Sequence, residues 1–342
     1  MNKISVGNFE LEEISEGGWR VTKFVGFISN AVVIPANVEG YRIKAVGERA
    51  FEEDKSIENV VIEEGIEVIE DYAFYKCENL QAIRFPRTLK IIGASAFKFC
   101  KSLVLISLPI NLESIGESAF AWSGIASLSL PNSVKTIGKE MCLHCENLSV
   151  IVLSEGLAEI PESAFKDCNW VKKISIPGSV KKIGESAFYF CKNLKKIELN
   201  DGLEVIGKKA FSSTEAKSLF IPASVTHVES GALQTCWRPQ IIFEKGCRAT
   251  LADEVFSSCS DSISFDIKEA QAIYVPKDMT IRDECFARHS VPKQLVVYCE
   301  QDSQVLSWAR THNLKCLPYP NISKTKPSFL QTIIDKIRSI FG

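Results

Sequence analysis

The chain has 342 residues, 46% of them hydrophobic and 24% charged, and its 40 Lys+Arg against 42 Asp+Glu leave a net charge of −2. This is the composition of a folded chain with a continuous apolar core rather than of a disordered one. The balanced charge offers no basic field for phosphates or anionic lipid, so nucleic acid is excluded as a partner.

From the amino terminus, the first ten residues carry one lysine and no apolar run of signal-peptide length, which places the chain, as written, in the cytoplasm. No later segment reaches the roughly 20 apolar residues of a membrane helix, because Pro, Gly or charge interrupts each run. Residues 9–28 alternate in polarity about Glu16-Gly17-Gly18, which predicts a hairpin within an amino-terminal β cap over residues 1–30.

Residues 31–300 are a repeat. Ile115-Gly-Glu-Ser-Ala-Phe120 recurs letter for letter as Ile183-Gly-Glu-Ser-Ala-Phe188, with looser copies ending at Phe74, Phe97 and Phe211. Anchored on the aromatic, the copies fall at Phe51, Phe74, Phe97, Phe120, Cys142, Phe165, Phe188, Phe211, Leu233, Phe256 and Phe286. Most steps are 23 residues; those ending at Cys142 and Leu233 are one shorter, and the last is seven longer, which predicts a loop over residues 266–271. One unit is Leu80, Ile83, Phe85, Pro86, Leu89, Ile92, Gly93, Ala96, Phe97, Cys100. The I-x-L alternation predicts a short strand, and Pro ends it for want of an N–H. The second apolar pair and Gly predict a return segment with a tight turn, and Ala-Phe closes the coil. One coil cannot bury this apolar set alone, whereas a stack of about eleven can.

These units resemble the leucine-rich repeats of the bacterial surface-antigen (BspA-like) class over about residues 32–298. The resemblance implies an α/β repeat fold: a leucine-rich-repeat solenoid of about eleven coils with a continuous strand face. The expected ends are an N-terminal β-hairpin cap and a C-terminal helical cap over residues 301–320, in which Val305, Leu306, Trp308, Ala309 and Leu314 supply the apolar side. It also implies a recognition or adhesion role, and a cell-surface or secreted location as the alternative to the cytoplasm.

On such a face the residues between the two core positions of each strand point outward and form two columns. Arg84, Val152, Glu198 and Phe220 fall in one, and Leu105, Val150, Lys173 and Lys196 in the other. The columns predict a mildly apolar middle, a charged flank and an exposed phenylalanine, a candidate face for a protein partner. The competing reading is a solvated face.

Seven of the twelve cysteines, Cys77, Cys100, Cys145, Cys168, Cys191, Cys236 and Cys259, sit three residues after the anchor, and Ser123 and Thr214 fill the same slot. This is a structural packing ladder rather than a disulfide framework. Cys142-Leu-His-Cys145 arises where Cys142 replaces the anchor beside a ladder cysteine, so it carries no metal or redox expectation. The four histidines recur in no pattern, and there is no phosphate loop, nucleophile elbow or metalloprotease motif. The expectation is a non-enzyme without cofactor or metal.

Residues 321–327 read as a linker. In residues 328–341, Phe329, Leu330, Ile333, Ile334, Ile337, Ile340 and Phe341 form one wide apolar stripe opposite Gln331, Asp335, Lys336 and Arg338, the pattern of an amphipathic helix. It suits a helix folded back on the last coil, an oligomerisation or partner helix, or a membrane-surface anchor. Oligomerisation through this helix makes a structural, self-associating protein the alternative to a recognition module.

Overall fold

The computed structural model describes residues 2–15, 17–26, 31–234, 240–256, 272–286 and 295–319. Cys236, Cys259, the 266–271 loop and the apolar tail lie outside them. Each coil has three sides. In the coil closed by Phe97, the strand Ala82–Arg84 forms the first side and the two-residue strand Ile91–Ile92 the second. The third is a turn segment whose alternate N–H groups bond the next coil, as Tyr72 N to Ala94 O (2.9 Å), Phe74 N to Ala96 O (2.9 Å) and Lys76 N to Lys98 O (2.8 Å) show. Leu80, Ile83, Leu89, Ile92, Ala96, Phe97 and Cys100 all point inward and are buried, so no coil can hide its apolar set without its neighbours. The stack is a leucine-rich-repeat β-solenoid with mostly parallel strands.

The repeat glycine plays a different part from the one expected. Gly93 does not adopt a positive φ; a Cβ there would meet Asp71 N and the Glu70 carbonyl carbon, both at 2.7 Å. Close approach to the preceding coil, not turn conformation, demands glycine. The left-handed positions are held instead by Ser95 (φ 52°) and Phe99 (φ 64°) and their counterparts in neighbouring coils.

The second side pairs from Val68–Ile69 through Thr136–Ile137 and again from Glu159–Ile160 through Thr250–Leu251. The first side holds twelve strands among the described residues, from Ala31–Ile34 to Lys315–Pro318. Its hydrogen-bonded ladder thins to a single bridge from Ala82 to Leu105 and is interrupted after it, after Val150–Val152 and after Lys196–Leu199. Two of these interruptions adjoin the short coils. Both coils lose a residue at the corner before the strand, around Gly124 and around Glu215, which offsets the strand against its neighbour. A Cβ on Gly124 would lie 2.1 Å from Lys101 O. The same two coils carry Ser123 and Thr214 in place of the ladder cysteine.

At the amino end, Lys3–Val6, Phe9–Ile14 and Gly18–Phe24 form an antiparallel sheet whose last strand continues in parallel onto Tyr41–Val46. Arg20 fastens this cap by bonding both Glu12 and, at 3.0 Å, Glu70 of the first coils. At the other end Ser303 caps helix Gln304–Thr311, its Oγ accepting from Leu306 N at 3.2 Å. Trp308 stacks on Phe286 at 6.0 Å and donates to Asp283 Oδ1 at 2.8 Å. The chain then adds one further strand, Lys315–Pro318, beside Val296–Cys299.

Candidate recognition face

The first side presents the two expected columns. Register pairs Ser127 with Val150 and Ser129 with Val152, so the two valines protrude side by side and are 52% and 51% exposed. Leu105, 70% exposed, stands two coils earlier in the Val150 column, about 10 Å away at the usual strand spacing. Arg84 is also exposed. Two large apolar side chains were missed from the sequence: Trp170, 57% exposed, and Ile110, 72% exposed, at the corners before and after their strands. The Trp170 corner normally carries asparagine. Asn79 Nδ2 donates to Lys55 O at 2.8 Å and Asn193 Nδ2 to Asn169 O at 2.7 Å across coils, so a tryptophan at that position is the signal that could have revealed it.

The charged flank is self-paired. Lys173 and Lys196 are register neighbours, and Glu198 bridges them at 3.0 and 2.8 Å. The Lys196 ammonium, and then Lys173, hold the Glu198 carboxyl below the usual carboxylate range. Phe220 is half-buried and packs at the margin of a second apolar cluster made by Ile242, Ala272, Tyr274, Val296 and Tyr298. It does not stand out from the face as the sequence suggested.

The cysteine position proves to be a hydrogen-bonding one. Cys77, Cys100, Cys145, Cys168 and Cys191 are free and fully buried. Each thiol donates to the anchor carbonyl of the preceding coil, as Cys77 to Phe51 O (2.9 Å), Cys100 to Phe74 O (3.1 Å) and Cys168 to Cys142 O (3.1 Å). Burial pushes Cys77 and Cys191 up to about 12 and Cys100 and Cys168 well upward, so the groups remain protonated donors. Among the described residues no group of three or more His, Cys, Asp or Glu is placed to hold a metal ion.

Along the turn side, residues one or two after the anchor form an aromatic seam that the sequence reading passed over. Tyr75 meets Phe99 edge-on at 5.8 Å, Phe99 stacks on Trp122 at 6.0 Å, and Trp122 on His144 at 3.9 Å. In the stacked part of the seam, ring faces are occupied by ring faces, so the seam joins coil to coil rather than offering a platform.

Three-sided coils, inward anchors and backbone hydrogen bonds between coils, joined at five ladder cysteines by a thiol bond, define a leucine-rich-repeat solenoid. Residues 44–172 and 159–292 match the family described as "BspA type Leucine rich repeat region (6 copies)", and the chain belongs to that family. Among solved structures it is similar to a leucine-rich repeat protein from Bacteroides ovatus, at 24% identity and TM-score 0.68 over 87% of this chain and 79% of the other. It is also similar to a leucine rich cell surface protein from Faecalibacterium prausnitzii, at 21% identity and TM-score 0.60 over 95% and 96%. The leucine rich repeat protein of T. pallidum aligns at 27% identity and TM-score 0.52 over 56% and 91%. No curated protein matches. Among the described residues no helix is long and apolar enough to cross a membrane.

Proposed function

We propose that the chain is a non-catalytic recognition module that engages a protein through the outer strand face of its middle coils. Leu105, Val150 and Val152 form the apolar centre of that face, Trp170 stands at its corner, and Arg84 and the Lys173–Glu198–Lys196 bridge lie at its margins. The observation that carries this reading is exposure without a packing reason. Outward positions of a strand are free to be polar, and Ser107, Ser129 and Ser175 show the polar choice in neighbouring coils; large apolar side chains grouped there mark an interface. The family consists of repeat modules of the protein-interaction kind, and the cell-surface description of the F. prausnitzii relative makes a surface location the first place to seek a partner.

The test replaces Leu105, Val150 and Val152 together by glutamate. These side chains are exposed, so urea unfolding is expected to stay within about 0.5 kcal/mol of the parent. Affinity-captured partners, quantified by mass spectrometry, are expected to fall at least tenfold. Unchanged capture by the folded variant removes the face from consideration.

A further inference from the structure

The outward columns change character toward the carboxyl end. Upstream, Val33, Leu105, Val150 and Val152 are each about half exposed or more. From the strand Ser218–Ile221 onward the column of Val33 and Val152 is large and apolar, half-buried at Phe220 and Leu317 and buried between them. Phe220 pairs with Ile242, Ile242 with Tyr274, Tyr274 with Tyr298, and Tyr298 with Leu317. Ile242 and Tyr274 are fully buried although they point away from the solenoid core, and the Tyr274 and Tyr298 rings stack at 4.1 Å. Burial pushes both hydroxyls above the usual tyrosine range. The described residues packed at the margin of this outer cluster are Phe220, Leu317 and Tyr319, and three side chains are too few to cover a patch five strands wide.

Tyr319 shows where the chain goes next. Its N–H donates to Cys299 O at 3.0 Å, and its hydroxyl donates to Phe243 O at 2.6 Å, past the two strands that lie between. The last described residue therefore already lies across the patch, and 23 residues, 320–342, follow it.

We propose that the occupant of this outer patch is the chain's own carboxyl-terminal segment: residues 328–341 lie as an amphipathic helix over Phe220, Ile242, Tyr274 and Tyr298, with 320–327 as the return linker. The dimensions agree. Five strands at about 4.8 Å span about 19 Å, and a helix of 14 residues is about 21 Å long. A linker of eight residues reaches up to about 26 Å, enough to start the helix at either edge. The stripe of Phe329, Ile333, Ile337 and Ile340 supplies the apolar side that the patch lacks, and leaves Asp335, Lys336 and Arg338 to solvent. The proposal is independent of the recognition face, which lies on earlier coils. Its consequence is that the tail closes the last third of the strand face to any partner.

The test uses the full chain with Ile333→Asp and Ile337→Asp, which leave every repeat residue intact. Hydroxyl-radical footprinting is expected to label Tyr274 and Tyr298 at least fivefold faster than in the parent, with Phe74 and Phe97 unchanged. A photo-crosslinking residue at position 333 of the otherwise unaltered chain is expected to join peptides containing Ile242, Tyr274 or Tyr298 within one monomer. Unchanged labelling of both tyrosines overturns the proposal. So do crosslinks found only between two chains, with light scattering showing a dimer, because the occupant is then the tail of a second copy.

Discussion

At one coil the repeat exchanges volume between neighbouring positions, and this can be tested as a pair. Coils before and after place a small residue ahead of a large anchor, Ala119-Phe120 and Ala164-Phe165, whereas the intervening coil has Met141-Cys142; all six side chains are fully buried. Anchor rings stack from Phe51 to Phe120 at 5.0–5.5 Å and resume from Phe165 to Phe211, with Cys142 standing in the gap. Met141→Ala removes about three heavy atoms from a closed site and is expected to cost about 2–3 kcal/mol, the low end for such truncations because neighbours can partly collapse. Cys142→Phe adds about five heavy atoms beside an unchanged Met141, and overpacking costs about 1–3 kcal/mol. The double variant restores the Ala-Phe pair and sets a ring between Phe120 and Phe165, each new stack contributing about 0.5–1.5 kcal/mol. It is expected within about 1 kcal/mol of the parent, a coupling of at least about 2 kcal/mol where independent sites would add. Urea unfolding followed by circular dichroism measures all four corners of the cycle. Additivity within about 0.5 kcal/mol would refute the claim that Met141 occupies the space an anchor ring fills elsewhere.

Two further outcomes follow from protonation. Cys77, Cys100, Cys168 and Cys191 are expected to be inert to a thiol reagent in the native state at pH 8 and to appear only on unfolding, with the partly exposed Cys316 reacting first among the described cysteines; rapid native labelling of Cys100 would contradict its burial. Glu67 lies between Lys44 and Lys90, bonding the latter at 2.7 Å, and the two ammonium groups lower its pKa to about 2, Lys44 contributing most. Its folded value lies below the ordinary 4.5, so the stabilisation is complete above about pH 4.5 and is lost as pH falls toward 2. Glu67→Gln should therefore destabilise the chain at pH 7 by about 1 kcal/mol, allowing for solvent screening at the half-exposed Lys90, and by nearly nothing at pH 2. An equal deficit at both values would show that the carboxylate charge is not what matters.

What the sequence exposed most fully is what packing repeats. A side chain that must point inward once per coil leaves a period of 23, so Phe97, Cys100 and their counterparts announce the solenoid without any structural knowledge. Functions of the backbone leave a weaker trace. Nothing in the letter at Cys100 says that its thiol bonds Phe74 O, and Gly93 carries the same letter whether it serves a turn or a close contact. The strand columns were legible as positions, because alternation decides which residue points outward. Their fate was not, since exposure depends on what lies over them. Glu198 is drawn in by two lysines of its own face, and Phe220 shares a column with Val152 yet packs against Ile242, because from that coil onward this column is apolar without interruption. That uninterrupted run, from Phe220 through Ile242, Tyr274 and Tyr298 to Leu317, was in the sequence from the start. Its meaning emerged only when register aligned the five residues across one sheet, and it divides the face into an upstream part with exposed apolar side chains and a downstream part whose apolar side chains are buried or half-buried.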